Sequence, residues 1–378
     1  DLERLSYFYK TKGYLQINLA NPLVTVSEDK RWIYITLQVT EGPQYTVNNI
    51  TFNGDLLFTE KELLDKVTLR ADEIYSEEKL RRDIQKLTEM YQDKGYAFVN
   101  VLRTLEPVPG VNRVNVNFSF EKGEIAYFGE VRVRGNEKTR DKVVLRELRF
   151  QEGQKYSGTN LRVSKENVER LGFFEKGSVI FNTVSPPGKP NVLDVEVSVK
   201  ERQTGQITVG AGYSSAQQGF LQASISQNNF RGLGQTLRFN LQLSKIQQNY
   251  ELGLTEPYLF DSNWSLGGTV FRREALFDDI QNRNEGFRLR VGYPIFEYTR
   301  FFLSYNLQET TIIETTDPLV DKDVENGIAS GIAGAIQYDR RNNIFEPTKG
   351  VFSNTSLEYV GLGFDMRWLE AQLDLRGY

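Results

Sequence analysis

From residue 206 to the end the chain alternates. Leu237, Phe239, Leu241 and Leu243 share one face, and Arg238, Asn240, Gln242 and Ser244 the other. Phe287, Leu289, Val291 and Tyr293 do the same against Arg288 and Arg290. The pattern returns in Phe301, Leu303, Tyr305 and Leu307, and again in Leu369, Ala371, Leu373 and Leu375. A period of two sustained over about eight residues predicts a strand with one apolar and one polar face. About ten such strands are predicted: 206–213, 221–227, 235–243, 250–255, 264–271, 286–293, 301–307, 327–338, 351–359 and 368–375. So wide a sheet, apolar on one side, needs either a second protein layer or a bilayer around it.

The first 203 residues follow another rhythm. Tyr9-Lys10-Thr11-Lys12-Gly13-Tyr14 is echoed by Tyr91-Gln92-Asp93-Lys94-Gly95-Tyr96 and, more loosely, by Leu171-Gly172-Phe173-Phe174. The glycines recur about 80 residues apart. Glu41-Gly42-Pro43-Gln44-Tyr45 and Phe52-Asn53-Gly54 find counterparts at 122–127 and 133–135. Within one unit the pattern predicts a strand (45–52), a short helix capped by Thr59, and a longer helix over 77–93 capped by Ser76. Leu80, Ile84, Leu87 and Tyr91 make that helix's apolar stripe. Gly95 stops it, and strands 97–105 and 113–120 follow. The order is β-α-α-β-β. The next unit repeats it with strand 126–133, helices 139–148 and 157–171, and strands 178–184 and 192–198. Residues 1–41 supply the last helix and two strands of an earlier copy, expected to be the least stable part. Each unit carries a sheet with an open edge, which suits the capture of an extended polypeptide. Residues 201–205 form a short hinge.

Composition narrows the chemistry. The 378-residue chain has no cysteine and no histidine, which removes disulfides, thiol nucleophiles, His-containing triads and most transition-metal sites. No carboxylate pair has a spacing that argues for acid–base work; no catalytic, cofactor or metal residue is assigned. A net charge of -4 gives no sign of a nucleic-acid partner. Mean hydropathy is -0.46 and no run reaches the ~18 apolar residues of a membrane helix. A tilted strand crosses a bilayer with only about 9–11 residues. After residue 204 the lysines are Lys245, Lys322 and Lys349, each in an expected loop. Tyr213, Tyr258, Phe260, Trp264, Tyr293, Tyr298, Tyr338 and Tyr359 sit near strand ends, as interfacial girdles do. Connections 229–234, 256–263, 294–300 and 340–350 lie on the side of the repeats. The opposite side holds 274–285 and 309–326, longer on balance. Membrane barrels keep short turns inside, so the repeats are expected in the periplasm. Asp1 opens directly into helix-like sequence and residue 378 closes on a strand, so the chain reads as a fragment.

These features together resemble the POTRA domains and barrel of the BamA family of outer-membrane assembly factors. The resemblance rests on the β-α-α-β-β repeats joined directly to alternating strands. It rests also on Leu171-Gly172-Phe173-Phe174, Val199-Lys200-Glu201-Arg202, and Asp339-Arg340-Arg341 with Pro347-Thr348-Lys349-Gly350. It implies α+β POTRA repeats followed by an antiparallel transmembrane β-barrel, truncated at about ten strands. Residues 1–41 would end one POTRA, 42–122 and 123–203 would be the last two, and 204–378 the first portion of the barrel. The implied function is assembly and insertion of unfolded β-barrel proteins into the bacterial outer membrane. Client strands would add at POTRA edges and at a lateral gate formed by the first strand, Gln206, Ile207, Thr208, Val209, Gly210, Ala211, Gly212 and Tyr213. The glycines there either weaken the seam or relieve crowding at it. Arg146 and Glu147, on the first helix of the last repeat, match the place where the family docks a partner lipoprotein. A secretion pore of the two-partner type shares the architecture and is the alternative; a barrel hydrolase and a soluble β-sandwich adhesin are the remaining readings.

Overall fold

Apolar residues three or four apart make a helix and apolar residues two apart a strand, and the chain passes from mixing both to the second alone near residue 204. The computed structural model describes residues 2–214, 218–277, 280–315, 326–343, 346–364 and 366–378. Residues 2–41 hold helix α1 (Leu2–Thr11) and, in place of two strands, four short ones: β1 (Asn18–Leu19), β2 (Leu23–Val26), β3 (Ile33–Thr36) and β4 (Val39–Thr40). They pair as β1-β4 and β2-β3. No residue of α1 is buried, and the apolar side chains of the β2–β3 hairpin are exposed.

The next repeat is β5 (Thr46–Gly54), α2 (Glu60–Lys66), α3 (Glu77–Gln92), β6 (Asn100–Pro107) and β7 (Arg113–Glu121), the expected β-α-α-β-β order. Its sheet runs β5-β7-β6, with β7 parallel to β5 and antiparallel to β6. Every second residue of β7, from Val114 to Phe120, is buried against Leu80, Leu87 and Tyr91 of α3 and Leu63 of α2. Thr59 caps α2 through a capping box with Glu62. Ser76 holds the N-cap of α3, but its hydroxyl makes no cap bond. Two buried carboxylates do other work. Asp83 accepts from Thr68 N and Oγ1, both at 2.6 Å, and from Leu69 N at 2.9 Å. Glu77 accepts from the Tyr75 hydroxyl and from Arg103, each at 2.6 Å.

The last repeat repeats the order: β8 (Tyr127–Arg134), α4 (Asp141–Leu145), α5 (Gly158–Arg170), β9 (Ile180–Val184) and β10 (Val192–Ser198), in a sheet β8-β10-β9. Here α4 is shorter than expected and ends before Arg146. The echoed glycines have one geometry. Gly13 and Gly95 both end a helix at positive φ, +91° and +99°. The carbonyl of Gly13 accepts the amide of Tyr45 at 2.9 Å, and that of Gly95 the amide of Ala126 at 2.8 Å. Each glycine thus seats the first strand of the following repeat. A Cβ would meet Ile74 at Gly13 and Lys155 at Gly95 below 3.0 Å.

Ten strands follow: β11 (Gly205–Ser214), β12 (Gln218–Phe230), β13 (Gln235–Ser244), β14 (Gln247–Glu256), β15 (Ser265–Phe277), β16 (Ile280–Phe296), β17 (Thr299–Thr315), β18 (Gly327–Asp339), β19 (Val351–Val360) and β20 (Trp368–Gly377). They form one antiparallel sheet in sequence order, with β11 and β20 at its edges. Register carries the alternation across the sheet. Ile207, Ile225, Phe239, Leu252, Val270, Phe287 and Leu307 are successive cross-strand partners. Ile207, Val270, Leu303, Ile336, Leu357 and Leu373 of this face are exposed although apolar. The opposite face is polar and internally bonded, with Arg288 to Asn306 at 2.5 Å and Asn306 to Glu358. The expected loop 274–285 is mostly strand: β15 runs to Phe277 and β16 starts at Ile280. Arg272 pairs with Glu285 and Glu274 with Arg283 across the two strands there, so pairing continues where the apolar pattern stops. On this side β16 and β17 have 17 residues each. Most of the expected loop 309–326, with Lys322, lies outside the described residues.

Residues 1–132, 149–164 and 183–195 form one compact unit, and residues 133–148, 165–182 and 196–378 another. In the first unit, burial alone would raise the Glu77 carboxyl, but the Tyr75 hydroxyl and Arg103 outweigh it and hold the group below its usual value. A depressed carboxylate contributes stability above the unfolded value, ~4.3, and loses it as pH falls through the folded one. Urea titrations followed by tyrosine fluorescence should show stability falling below about pH 4.3, with the slope reduced in Glu77→Gln.

Candidate functional site

Two places gather the chemistry of the second unit. The first is β11. Its ten residues pair with β12 from Gly205↔Gln227 to Ser214↔Gln218. Its other side has no strand partner among the described residues. An unpaired edge offers a row of backbone donors and acceptors to any extended chain. Ile207, Val209 and Tyr213 are 73%, 69% and 80% exposed. The two glycines have a local cause. A Cβ on Gly212 would lie 2.6 Å from the Phe220 ring, and one on Gly210 3.1 Å from Gln222. A side chain at Gly212 would thus require the Phe220 ring to move, and at these two glycines β11 is held to β12 by backbone pairing alone.

The second place is the seat of the last repeat on the turns that join the strands on its side. Asn229 and Arg231 flank the end of β12 at φ +59° and +57°. Asparagine is among the few residues that tolerate this region. The Asn229 side chain is buried and serves both elements. Its amide donates to Thr139 Oγ1 at 2.8 Å, and its carbonyl accepts Gly234 N at 2.8 Å. Gly232 O accepts Arg140 N at 2.9 Å, and a Cβ on Gly232 would strike Lys138 O. Glu201 accepts the amides of Lys138 (3.0 Å) and Thr139 (2.6 Å). Burial would raise its carboxyl, but these bonds hold it below the usual range.

Arg146 and Glu147 belong to this seat. Neither is on the helix proper: Arg146 is the C-cap of α4, and Glu147 follows it. The Arg146 guanidinium lies 4.0 Å from the centre of the Tyr258 ring, and the Tyr258 hydroxyl donates to Glu147 at 3.0 Å. Burial, with the Glu147 carboxylate beside it, pushes the Tyr258 phenol up to about 12, so the hydroxyl remains a donor. Burial also lowers the Arg146 guanidinium, opposed by Tyr258, Glu147, Glu256 and Asp261; an arginine stays charged regardless. Lys142 pairs with Asp261 at 2.8 Å. At the end of α5, Arg170 donates to Asp339 O at 3.0 Å and lies 5.4 Å from the Tyr298 ring. The expected docking pair is thus engaged within the chain. Tyr258 and Tyr298, expected in a lipid-facing girdle, are platforms for arginines. Trp264 packs on Tyr293 of the outer face, and Phe260, in the turn before it, is 93% exposed. Asp339 holds Arg341 in a two-point ion pair, 2.7 and 2.9 Å, which orders the turn leading to β19.

The chain matches two family descriptions. Residues 45–123 and 126–202 match the POTRA model, described as a surface antigen variable number repeat, and residues 229–378 match the Omp85 superfamily domain. It is 27% identical to the outer membrane protein assembly factor BamA of Nitratidesulfovibrio vulgaris, over 100% of this chain and 48% of that protein. It is 29% identical to the protein of the same name from Neisseria meningitidis, over 79% of this chain and 38% of that one. It thus spans about half the length of the first of these relatives. The crystal structure of BamA from Haemophilus ducreyi lacking POTRA domains 1–3 shares its fold, with a TM-score of 0.66 at 23% identity, covering 88% of this chain and 67% of that one.

Tyr258→Phe keeps a ring under Arg146 but drops the bond to Glu147; Asn229→Ala drops both bonds of the clasp. Each should cost about 1–3 kcal/mol locally and speed amide hydrogen exchange over residues 138–147, Asn229→Ala more. Unchanged exchange in both would refute the seat.

Proposed function

The chain belongs to the BamA family, and we propose that it takes part in assembling and inserting β-barrel proteins into the bacterial outer membrane. It lies in that membrane with its repeats in the periplasm. Its substrates would be unfolded outer-membrane β-barrel proteins. One observation carries the reading: a sheet with one exposed apolar face whose first strand, β11, has no second strand partner among the described residues. A client segment adding to that edge gains hydrogen bonds that do not depend on its sequence, while its alternate side chains sort to lipid and to water. The work is done by templating rather than by a reaction, so no catalytic group is required. The edges of the repeats, such as β9 with exposed Ile180 and Val184, would hold extended client on its way to β11.

Accessory lipoproteins are proposed partners on the periplasmic side. Arg146 and Glu147 would join such a contact only by releasing Tyr258, so docking there and the seat of the last repeat would compete.

Single cysteines placed from 206 to 213 should crosslink to a stalled client strand, with yields alternating along the strand as one face and then the other meets the client. Absence of adducts at every position would remove β11 as the templating edge. A large, stable open pore without insertion activity would favour the secretion-pore alternative instead.

A further inference from the structure

The outer face of the sheet is not uniformly flat. Near its periplasmic end Trp264, Val291, Tyr293, Ile295, Phe301 and Leu303 line a depression of about 580 Å³ across the start of β15, the end of β16 and the start of β17. Small-molecule sites span about 300–1,000 Å³. Register sets its floor and walls. Val291 pairs with Leu303 and Tyr293 with Phe301, while the Trp264 ring lies 4.8 Å from that of Tyr293 and closes one side. On the other side Leu303 faces Gly334, where no side chain rises. The register shift between Pro294 and Phe296 breaks the regular surface at the periplasmic rim.

We propose that this depression is a seat for one acyl chain of a glycerophospholipid of the periplasmic leaflet, held more tightly than the lipid around the rest of the barrel. The proposal rests on reading the apolar face as lipid-covered. That reading fixes the occupant: the depression is continuous with the exposed belt of Leu289, Ile332 and Ile336, so hydrocarbon rather than a protein segment lies over it. Its lining is apolar and aromatic throughout, which suits an acyl chain and offers nothing to a headgroup. The headgroup end is marked separately. The turn before Trp264 carries exposed Phe260 and the Lys142–Asp261 ion pair, which offer an aromatic anchor and charges of both signs at interfacial depth.

Tryptophan fluorescence reads the seat directly. In the protein carrying Trp32→Phe and Trp368→Phe, Trp264 is the only tryptophan of residues 1–378. When this protein, reconstituted in ordinary phospholipid, is mixed with an excess of phospholipid with brominated acyl chains, quenching of Trp264 should develop several-fold more slowly than the lipids mix, because the seated chain must leave first. Val291→Phe, which fills the depression, should abolish that delay; Ile225→Phe, on the same face but outside it, should not. Native mass spectrometry should then find one retained phospholipid in the parent and the Ile225→Phe protein, and none in Val291→Phe. Quenching of the parent as fast as the lipids mix would overturn the proposal, whether or not Val291→Phe folds. So would equal behaviour of the two variants. Failure of client crosslinking at β11 would leave this result untouched, since the seat needs only the membrane and not the insertase role.

Discussion

Hydrocarbon offers no partner to a backbone amide or carbonyl, and this constraint governs the second half of the chain. Every such group must be paired within the protein, so a segment with too few apolar residues in a row for a helix crosses as strands paired in sequence. Among the described residues the meander from β11 to β20 meets that demand between neighbouring strands, and β11, with two glycines and exposed Ile207 and Val209, has no second strand partner. An edge in lipid is costly unless a further strand adds to it.

The same sheet needs a fixed base in water, and polar contacts provide it. The turns below the sheet bend through residues at positive φ, among them Asn229, Arg231, Phe260 and Asp261, which brings their polar groups up to the last repeat. Asn229 clasps Thr139, Tyr258 takes Arg146 on its face and Glu147 on its hydroxyl, and Arg170 reaches Asp339. A partly buried cation over an aromatic ring contributes about 0.5–2 kcal/mol, so the seat is the sum of several modest bonds. Such a sum can be released stepwise, which a single large apolar patch cannot.

In the large sheet, strand number and facing were legible in the residues, as was the order of the two whole repeats. Period two marked all ten strands, and the apolar stripe of α3 together with Gly95 marked its length and stop. Strand ends were not legible on the far side, because the cross-strand pairs Arg272–Glu285 and Glu274–Arg283 extend the ladder by charge, a pattern that reads as loop. Arg146 and Glu147 were assigned to lipoprotein docking by the family resemblance, and the sequence shows their charge but not what covers them. Their cover, Tyr258, comes from a turn 111 residues from Glu147. Asn229 escaped notice for a similar reason: an asparagine in a turn is common, and only the fold shows that its amide reaches Thr139. The short motif around Gly13 and Gly95 is legible as a repeat, while its physical cause, a carbonyl that receives the next unit's first strand, appears only in three dimensions.

The clasp between Asn229 and Thr139 joins positions 90 residues apart. It places the true seam of this molecule away from the hinge at 201–205, where a module boundary would be drawn by eye. A chimera cut at that hinge would pair the last repeat of one relative with turns shaped for another. Exchange would preserve the fit only if α4, the loop before it, and the turns at 229–234 and 257–264 travelled together as one inherited block.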